Sequence, residues 1–343
     1  MIKAFICGSS GTTLTPEETT FFQEENPWGL ILFRRNCNAP DQVAGLVASF
    51  REAVGRSDAP VLIDQEGGRV QRLRPPNWPS YPPAGTFGTL YDKDRQYGTR
   101  AAWLGARLIA HDLLKLGITV DCLPLLDLWL AETVDAIGDR AYSSDPETVA
   151  ALGRTACEGL MAGGVLPVVK HLPGHGRALV DSHLELPRIS ASRQELSQAD
   201  FLPFKALADM PLAMTAHLLY TEIEPEHPAT QSRTIIRDII RDEIGFEGCL
   251  MSDDISMKAL GGDMRERTAL SFAAGCDLVL HCNGDMAEMK AVAKAAPVLQ
   301  GKSRQRCEEA LARRKQPEAD FDPLAAREEF EALLSDVPER VVG

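Results

Sequence analysis

Eight short apolar runs, most of them rich in β-branched residues, punctuate the chain: KAFIC (3–7), GLILF (29–33), VLIDQ (61–65), ITVDCLP (118–124), LPVVKH (166–171), LAMTAH (212–217), GCLMSD (248–253) and DLVLHC (277–282). Runs of this length with little polar alternation predict strands buried on both faces. Between them lie longer segments whose apolar residues fall at three- and four-residue intervals, the spacing of an amphipathic helix. DQVAGLVASFREAVG, TRAAWLGARLIAHDLLKLG, DPETVAALGRTACEGLMAGG and TIIRDIIRDEIG are of this kind. TPEETTFFQEEN opens with Thr15 as N-cap, Pro16 at the first helical position and Glu18 three residues after the cap, which is a capping box.

Strands alternating with helices predict parallel strands joined by crossover helices, and eight such units predict an α/β fold with a single (β/α)8 barrel. An open doubly wound sheet is the alternative. The count of eight and the lack of a G-x-G-x-x-G turn after an early strand disfavour it. The barrel is expected over residues 1–300, and residues 301–343 as a helical and irregular extension packing on its outside or base.

In a barrel of this type the chemistry sits at the C-terminal strand ends. The polar residues of this chain gather there: Asp64 after the third run, Asp127 past the fourth, Lys170 and His171 closing the fifth, His217 closing the sixth. Asp253 and Asp254 close the seventh, and Asn283 follows the eighth. Neighbouring strand residues alternate in direction, so Asp253 is expected to face the barrel mouth and Asp254 to point elsewhere.

A formal net charge of −13 argues against a general nucleic-acid or anionic-membrane binder, since both partners call for a positive face. A local basic pocket remains open to Arg34, Arg35, Arg72, Arg74, Lys170 and Arg177. The eight cysteines are dispersed and form no C-x-x-C pair, which points to a reducing compartment without disulfides. The first residues hold too short an apolar run for a signal peptide, and no window reaches the ~18 apolar residues of a membrane span. A cytoplasmic, monomeric protein is expected.

The stretch KHLPGHGRALVDSHLELP (170–187) concentrates His171, His175 and His183, three of the chain's seven histidines. Histidine titrates near neutrality and ligates metals. A zinc site would draw on these three with Asp181, but Pro173, Gly174 and Gly176 forbid the helical H-E-x-x-H face. A serine triad fails because Ser182 lies directly between Asp181 and His183. The remaining reading pairs Asp181 with His183, the carboxylate raising the imidazole's pKa to make a proton donor and acceptor. Gly174 and Gly176 are expected to let the segment move toward a bound substrate. With Asp253 as a separate carboxylate nucleophile, this is a working set for glycosidic bond cleavage.

The same stretch resembles the K-H-F-P-G-H-G-x(4)-D-S-H signature of family 3 glycoside hydrolases, in particular the bacterial β-N-acetylhexosaminidases of peptidoglycan recycling. GLILFRRNCNAPDQV, VLIDQEGGRVQRL, DCLPLLDL, IGDRAYSSDPE, MTAHLLY, GFEGCLMSDDISMKAL and AAGCDLVLHCN resemble that family in order along residues 1–295. The resemblance implies a (β/α)8 barrel without metal or organic cofactor. It implies Asp253 as nucleophile, His183 supported by Asp181 as acid/base, and Asp64, Arg72, Arg140, Lys170 and His171 as ligands of an N-acetylglucosamine unit. The implied reaction is retaining hydrolysis of GlcNAc-1,6-anhydro-MurNAc peptides in the cytoplasm of a Gram-negative bacterium. Phosphorolysis in the same family, a zinc hydrolase and a non-catalytic sugar-binding barrel are the rival readings. The chain departs from the family pattern at Leu172, in GDRAYSSDP, at Glu185 and in the long segment 127–140 with Trp129, all of which bear on leaving-group preference.

Overall fold

The eight apolar runs become eight parallel strands of a closed barrel in the computed structural model, which describes residues 1–130, 137–180, 182, 184–317 and 319–335. They are β1 (Lys3–Cys7), β2 (Pro27–Leu32), β3 (Val61–Ile63), β4 (Val120–Asp121), β5 (Leu166–Leu172), β6 (Leu212–Thr215), β7 (Cys249–Asp254) and β8 (Leu278–His281). Each strand pairs with its predecessor, and β8 closes on β1 through Phe5–Val279, Ile6–Leu280 and Cys7–His281. β4 is much shorter than the run that predicts it, although Leu123 and Pro124 still accept the Val168 and Lys170 N–H groups of β5.

Strand alternation sorts the side chains into two cores. Ala4, Ile6, Leu62, Val120, Leu166, Val168, Leu212, Met214, Cys249, Met251, Leu278 and Leu280 form the inner cluster. Phe5, Cys7, Val61, Ile63, Val169 and Ala213 belong to the outer core between strands and helices. Continuing the inner rows by two residues gives 62 to 64, 168 to 170 and 251 to 253. Asp64, Lys170 and Asp253 therefore cap apolar rows at the barrel mouth, as a two-residue period requires.

The helices follow their sequence signals. Thr15 and Glu18 close the capping box of helix Pro16–Glu25, and Asp145 caps Pro146–Ala162 by accepting the Thr148 N–H. TIIRDIIRDEIG departs from the expected α-helix and winds as a π-helix over Ile235–Glu243, with Ile235, Ile236, Ile239 and Ile240 buried. A four-residue repeat of isoleucine pairs fits either winding, so the pattern does not discriminate between them.

Beyond residue 300, helix Gly301–Ala312 sends Cys307 and Ala310 into the inner cluster beside Trp28 and Leu299, closing the barrel base. Helix Pro323–Leu334 docks Phe330 against Phe87 and Tyr81, with ring centroids 6.2 and 6.3 Å apart. All eight cysteines are buried free thiols. Among the described residues no helix is long and apolar enough to cross a membrane.

Candidate active site

At the C-terminal mouth of the barrel lies a cavity of about 260 Å³. Asp64, Arg72, Arg140, Lys170, His171 and Asp253, six of the eight residues singled out in the sequence, all line it. The other two, Asp181 and His183, lie outside the described residues. Ser182 between them is described and reaches the cavity wall.

One flank is an ionic lattice. Lys170, 2% exposed at the end of the β5 inner row, lies 3.0 Å from Asp64 and also pairs with Glu66. Arg72 Nη2 reaches the second Asp64 oxygen at 2.9 Å, and its guanidinium stacks on Phe33 at 4.9 Å. Arg140 grips Glu66 with two bonds of 2.9 and 2.8 Å. Burial alone would raise the pKa of both acids, but the Lys170, Arg72 and Arg140 charges more than offset it. Asp64 is held far below the carboxylate range and Glu66 at about 2. The same acids keep Lys170 protonated against its own burial. The lattice thus offers a sugar fixed N–H donors and ionised carboxylate acceptors.

The loop that carries Arg72 is shaped by Gln65. Its Oε1 accepts the Arg72 and Leu73 N–H groups, each at 3.0 Å, while its Nε2 donates to the Leu73 carbonyl at 3.1 Å. Gly67 adopts φ +97° there, and a Cβ would stand 2.2 Å from the Pro82 carbonyl oxygen. Only glycine fits.

The other flank is Asp253. Its Oδ1 accepts the Asp254 N–H at 2.7 Å, and Oδ2 lies 4.0 Å from His171 Nε2. Burial opposes its ionisation, yet the imidazoles of His171 and His217 hold the carboxyl below its ordinary pKa. Asp254 has a different task. Its side chain accepts the backbone N–H groups of Ser256 (3.0 Å) and Cys282 (3.1 Å) and the Ser256 hydroxyl (2.6 Å), which fixes the turn after β7. Adjacent acids thus divide between a carboxylate that lines the cavity and a structural one.

His171 is set from below by Asp127, a fully buried carboxylate whose Oδ2 takes the Nδ1 proton at 2.7 Å and whose Oδ1 accepts the His175 N–H at 2.6 Å. Nε2 of His171 is left to face the cavity. Of the three histidines once weighed as zinc ligands, His171 has Nδ1 engaged by Asp127, and His175 has Nε2 engaged by Ser182 at 3.2 Å.

Several expectations are corrected. His217 is buried behind β7, bonded to Thr230 Oγ1 at 2.7 Å and to the Asp254 carbonyl at 3.0 Å, so it buttresses the strand end instead of lining the cavity. Asn283 turns to Glu288 on the exterior. Of the six proposed basic residues only Arg72 and Lys170 reach the cavity. Arg34, Arg35 and Arg74 bond backbone carbonyls, and Arg177 pairs with Asp200 at 2.8 Å. Gly174 and Gly176 also meet conformational and packing requirements that the sequence did not show. Gly174 has φ +137°, and a Cβ on Gly176 would meet the Leu128 carbonyl oxygen at 2.4 Å.

Sequence reasoning missed Glu66 and the role of Asp127. Both carried a signal: two buried cations, Arg140 and Lys170, call for more negative charge than Asp64 alone provides. An acid past a buried strand beside a histidine-bearing one is a candidate orienter of that histidine.

The model of the glycosyl hydrolase family 3 N-terminal domain matches residues 13–314. The chain belongs to glycoside hydrolase family 3. This family 3 glycoside hydrolase is 39% identical over 287 residues to a β-hexosaminidase of Alkalilimnicola ehrlichii, covering 82% of this chain and 81% of that one. It is 36% identical over 302 residues to a β-hexosaminidase of Stenotrophomonas maltophilia, covering 87% of each. Among solved structures it resembles NagZ from Neisseria gonorrhoeae in complex with N-trifluoroacetyl-D-glucosamine, with a TM-score of 0.84, 30% identity and coverage of 98% and 97% of the two chains.

Proposed function

We propose that this glycoside hydrolase is a retaining exo-β-N-acetylglucosaminidase that acts on GlcNAc-1,6-anhydro-MurNAc peptides during cytoplasmic peptidoglycan recycling. The observation that carries the reading is Asp253: an ionised carboxylate at the barrel mouth, lining a cavity of about 260 Å³ walled by fixed donors and acceptors. The likeness to a NagZ that binds an N-acylated glucosamine supports the choice of sugar.

Asp64, Arg72, Arg140, Lys170 and His171 bind the N-acetylglucosamine unit, chiefly through its hydroxyls. Asp253 attacks the anomeric carbon as the bond to the leaving oxygen breaks, and His183 gives that oxygen its proton. A glycosyl-aspartate forms. Water, deprotonated by the now neutral His183, attacks the same carbon and releases the sugar with β configuration retained. Asp181 fixes the imidazole's tautomer and stabilises its charged form. A histidine in place of the usual second carboxylate keeps another negative charge away from Asp253 and holds its proton near neutral pH.

The test is mass spectrometry after incubation with an activated 2-acetamido glycoside carrying a fluorine that slows deglycosylation. An adduct on Asp253 is expected, together with turnover independent of phosphate. An adduct on Asp254, no adduct, or an inverted product overturns the reading.

A further inference from the structure

Helix Pro323–Leu334 lies beyond residues 13–314, the stretch that matches the family domain, yet it packs against the supports of two cavity arginines. Phe330 is its buried anchor, and its ring meets those of Tyr81 and Phe87. These two neighbours serve different arginines, Arg72 and Arg140, neither of which sits on a barrel strand.

Tyr81 closes the loop of Arg72. Its carbonyl accepts the Gly68 N–H at 2.8 Å, and its own N–H donates to Gln71 Oε1 at 3.0 Å. Gln71 Nε2 donates in turn to the Leu73 and Pro79 carbonyls at 2.6 and 2.7 Å, beside the Arg72 and Leu73 N–H groups that end on Gln65. The Tyr81 hydroxyl is gripped by two other elements. It accepts from Arg327 Nη2 at 2.7 Å and donates to Asp112 at 2.6 Å, with the Arg327 guanidinium 4.8 Å from the ring centre. Burial and the Asp112 charge hold the phenol far above its ordinary pKa, so it keeps the proton that it donates.

Phe87 leads to Arg140. It lies on helix Ala84–Lys93, whose Gly88 is so close to the Tyr142 carbonyl that a Cβ would overlap it. That helix is therefore in backbone contact with the chain two residues past Arg140. One aromatic ring thus stands behind both arginine-bearing segments.

We propose that Arg327 and Phe330 are positioning residues for Arg72 and Arg140, and that the C-terminal helix thereby sets the affinity of the cavity for its sugar. This rests on the sugar-binding role given to the two arginines above. A guanidinium binds through a directional fork, and groups carried on loops keep their aim only when packed partners support them.

The test separates sugar affinity from general stability. Arg327→Ala, Arg327→Lys and Phe330→Leu are compared with Glu329→Ala on a chromogenic β-N-acetylglucosaminide, well below each variant's Tm. Glu329→Ala frees the same helix from Arg100, which it binds at 2.6 and 2.7 Å, but leaves Tyr81 and Phe87 in place. Coupling through packed side chains is worth about 2- to 30-fold. Arg327→Ala and Phe330→Leu should each raise KM, and the Kd of free N-acetylglucosamine, by about threefold or more, with kcat within about twofold. Arg327→Lys keeps a cation over the Tyr81 ring and should recover part of the loss. Glu329→Ala should leave KM within about twofold of the parent. An unchanged KM in the first two variants, a fall in kcat alone, no recovery with lysine, or an equal rise in Glu329→Ala overturns the inference. Arg72→Ala is the reference: if it keeps the parent KM, the sugar-binding reading fails at its root, whatever the helix does.

Discussion

The Nδ1 of His171 lies 2.7 Å from Oδ2 of Asp127, a carboxylate fully buried beneath the imidazole. An ionised carboxylate can only accept hydrogen bonds, so this contact fixes which imidazole nitrogen carries its proton and which one meets the cavity. Asp127→Asn keeps the shape but turns an NH₂ group toward Nδ1. The proton is then driven to Nε2, where it faces the Asp253 carboxylate. The expected result is a fall in kcat/KM on the order of 10²-fold. Loss of the far-downfield Nδ1–H proton resonance should accompany it. Unchanged kinetics would show that the tautomer is immaterial.

Glu66 is the counter-charge for two buried cations. Glu66→Gln leaves Arg140 and Lys170 sharing Asp64, and breaking a buried pair from one side costs about 3 kcal/mol or more. Denaturant titration should register a loss of that order. KM should rise as well, because Arg140 and Lys170 line the cavity proposed to hold the sugar. A variant as stable as the parent would mean that water compensates for the missing charge.

The depressed acids set the low-pH behaviour. Glu66 ionises at about 2 in the folded chain against an ordinary value of about 4.3. Folding therefore gains from its ionised form above the unfolded value, and this gain is lost as pH falls from ~4 through 2. Asp64 adds in the same direction. The protein should lose stability steeply over that window, and Glu66→Gln should flatten the slope of unfolding free energy against pH.

Asp121 behaves oppositely. Burial beneath the lattice raises its carboxyl to about 8; Oδ1 accepts the Gln65 N–H at 2.9 Å, while Oδ2 has no partner among the described residues. Between pH 4 and 8 the folded chain retains a proton that the unfolded chain has released. Stability falls with rising pH by at most about 1.4 kcal/mol per unit from this group. Asp121→Asn removes the titration, so it should stabilise the protein more at pH 8 than at pH 5 in thermal melts. An equal shift at both values would assign the effect to packing.

Gly176→Ala drives a methyl group into the Leu128 carbonyl. Displacing backbone from backbone costs about 1–3 kcal/mol. The expected outcome is a lower Tm in thermal melts. An unchanged Tm would show that the Leu128 backbone gives way at little cost.

The sequence by itself determined the barrel, because eight apolar runs and the helices between them are local patterns, written in periods of two and three to four residues. It also identified the mouth residues Asp64, Lys170 and Asp253, since each extends an inward-facing row by one step of the strand period. Only the tertiary structure decided which polar groups meet. Glu66 joins Arg140 across 74 positions, and Asp127 joins His171 across 44. No periodicity encodes a contact at such separation. Likewise the close packing of Gly176 is invisible in one dimension, because the backbone of Leu128 that crowds it arrives from a different strand end.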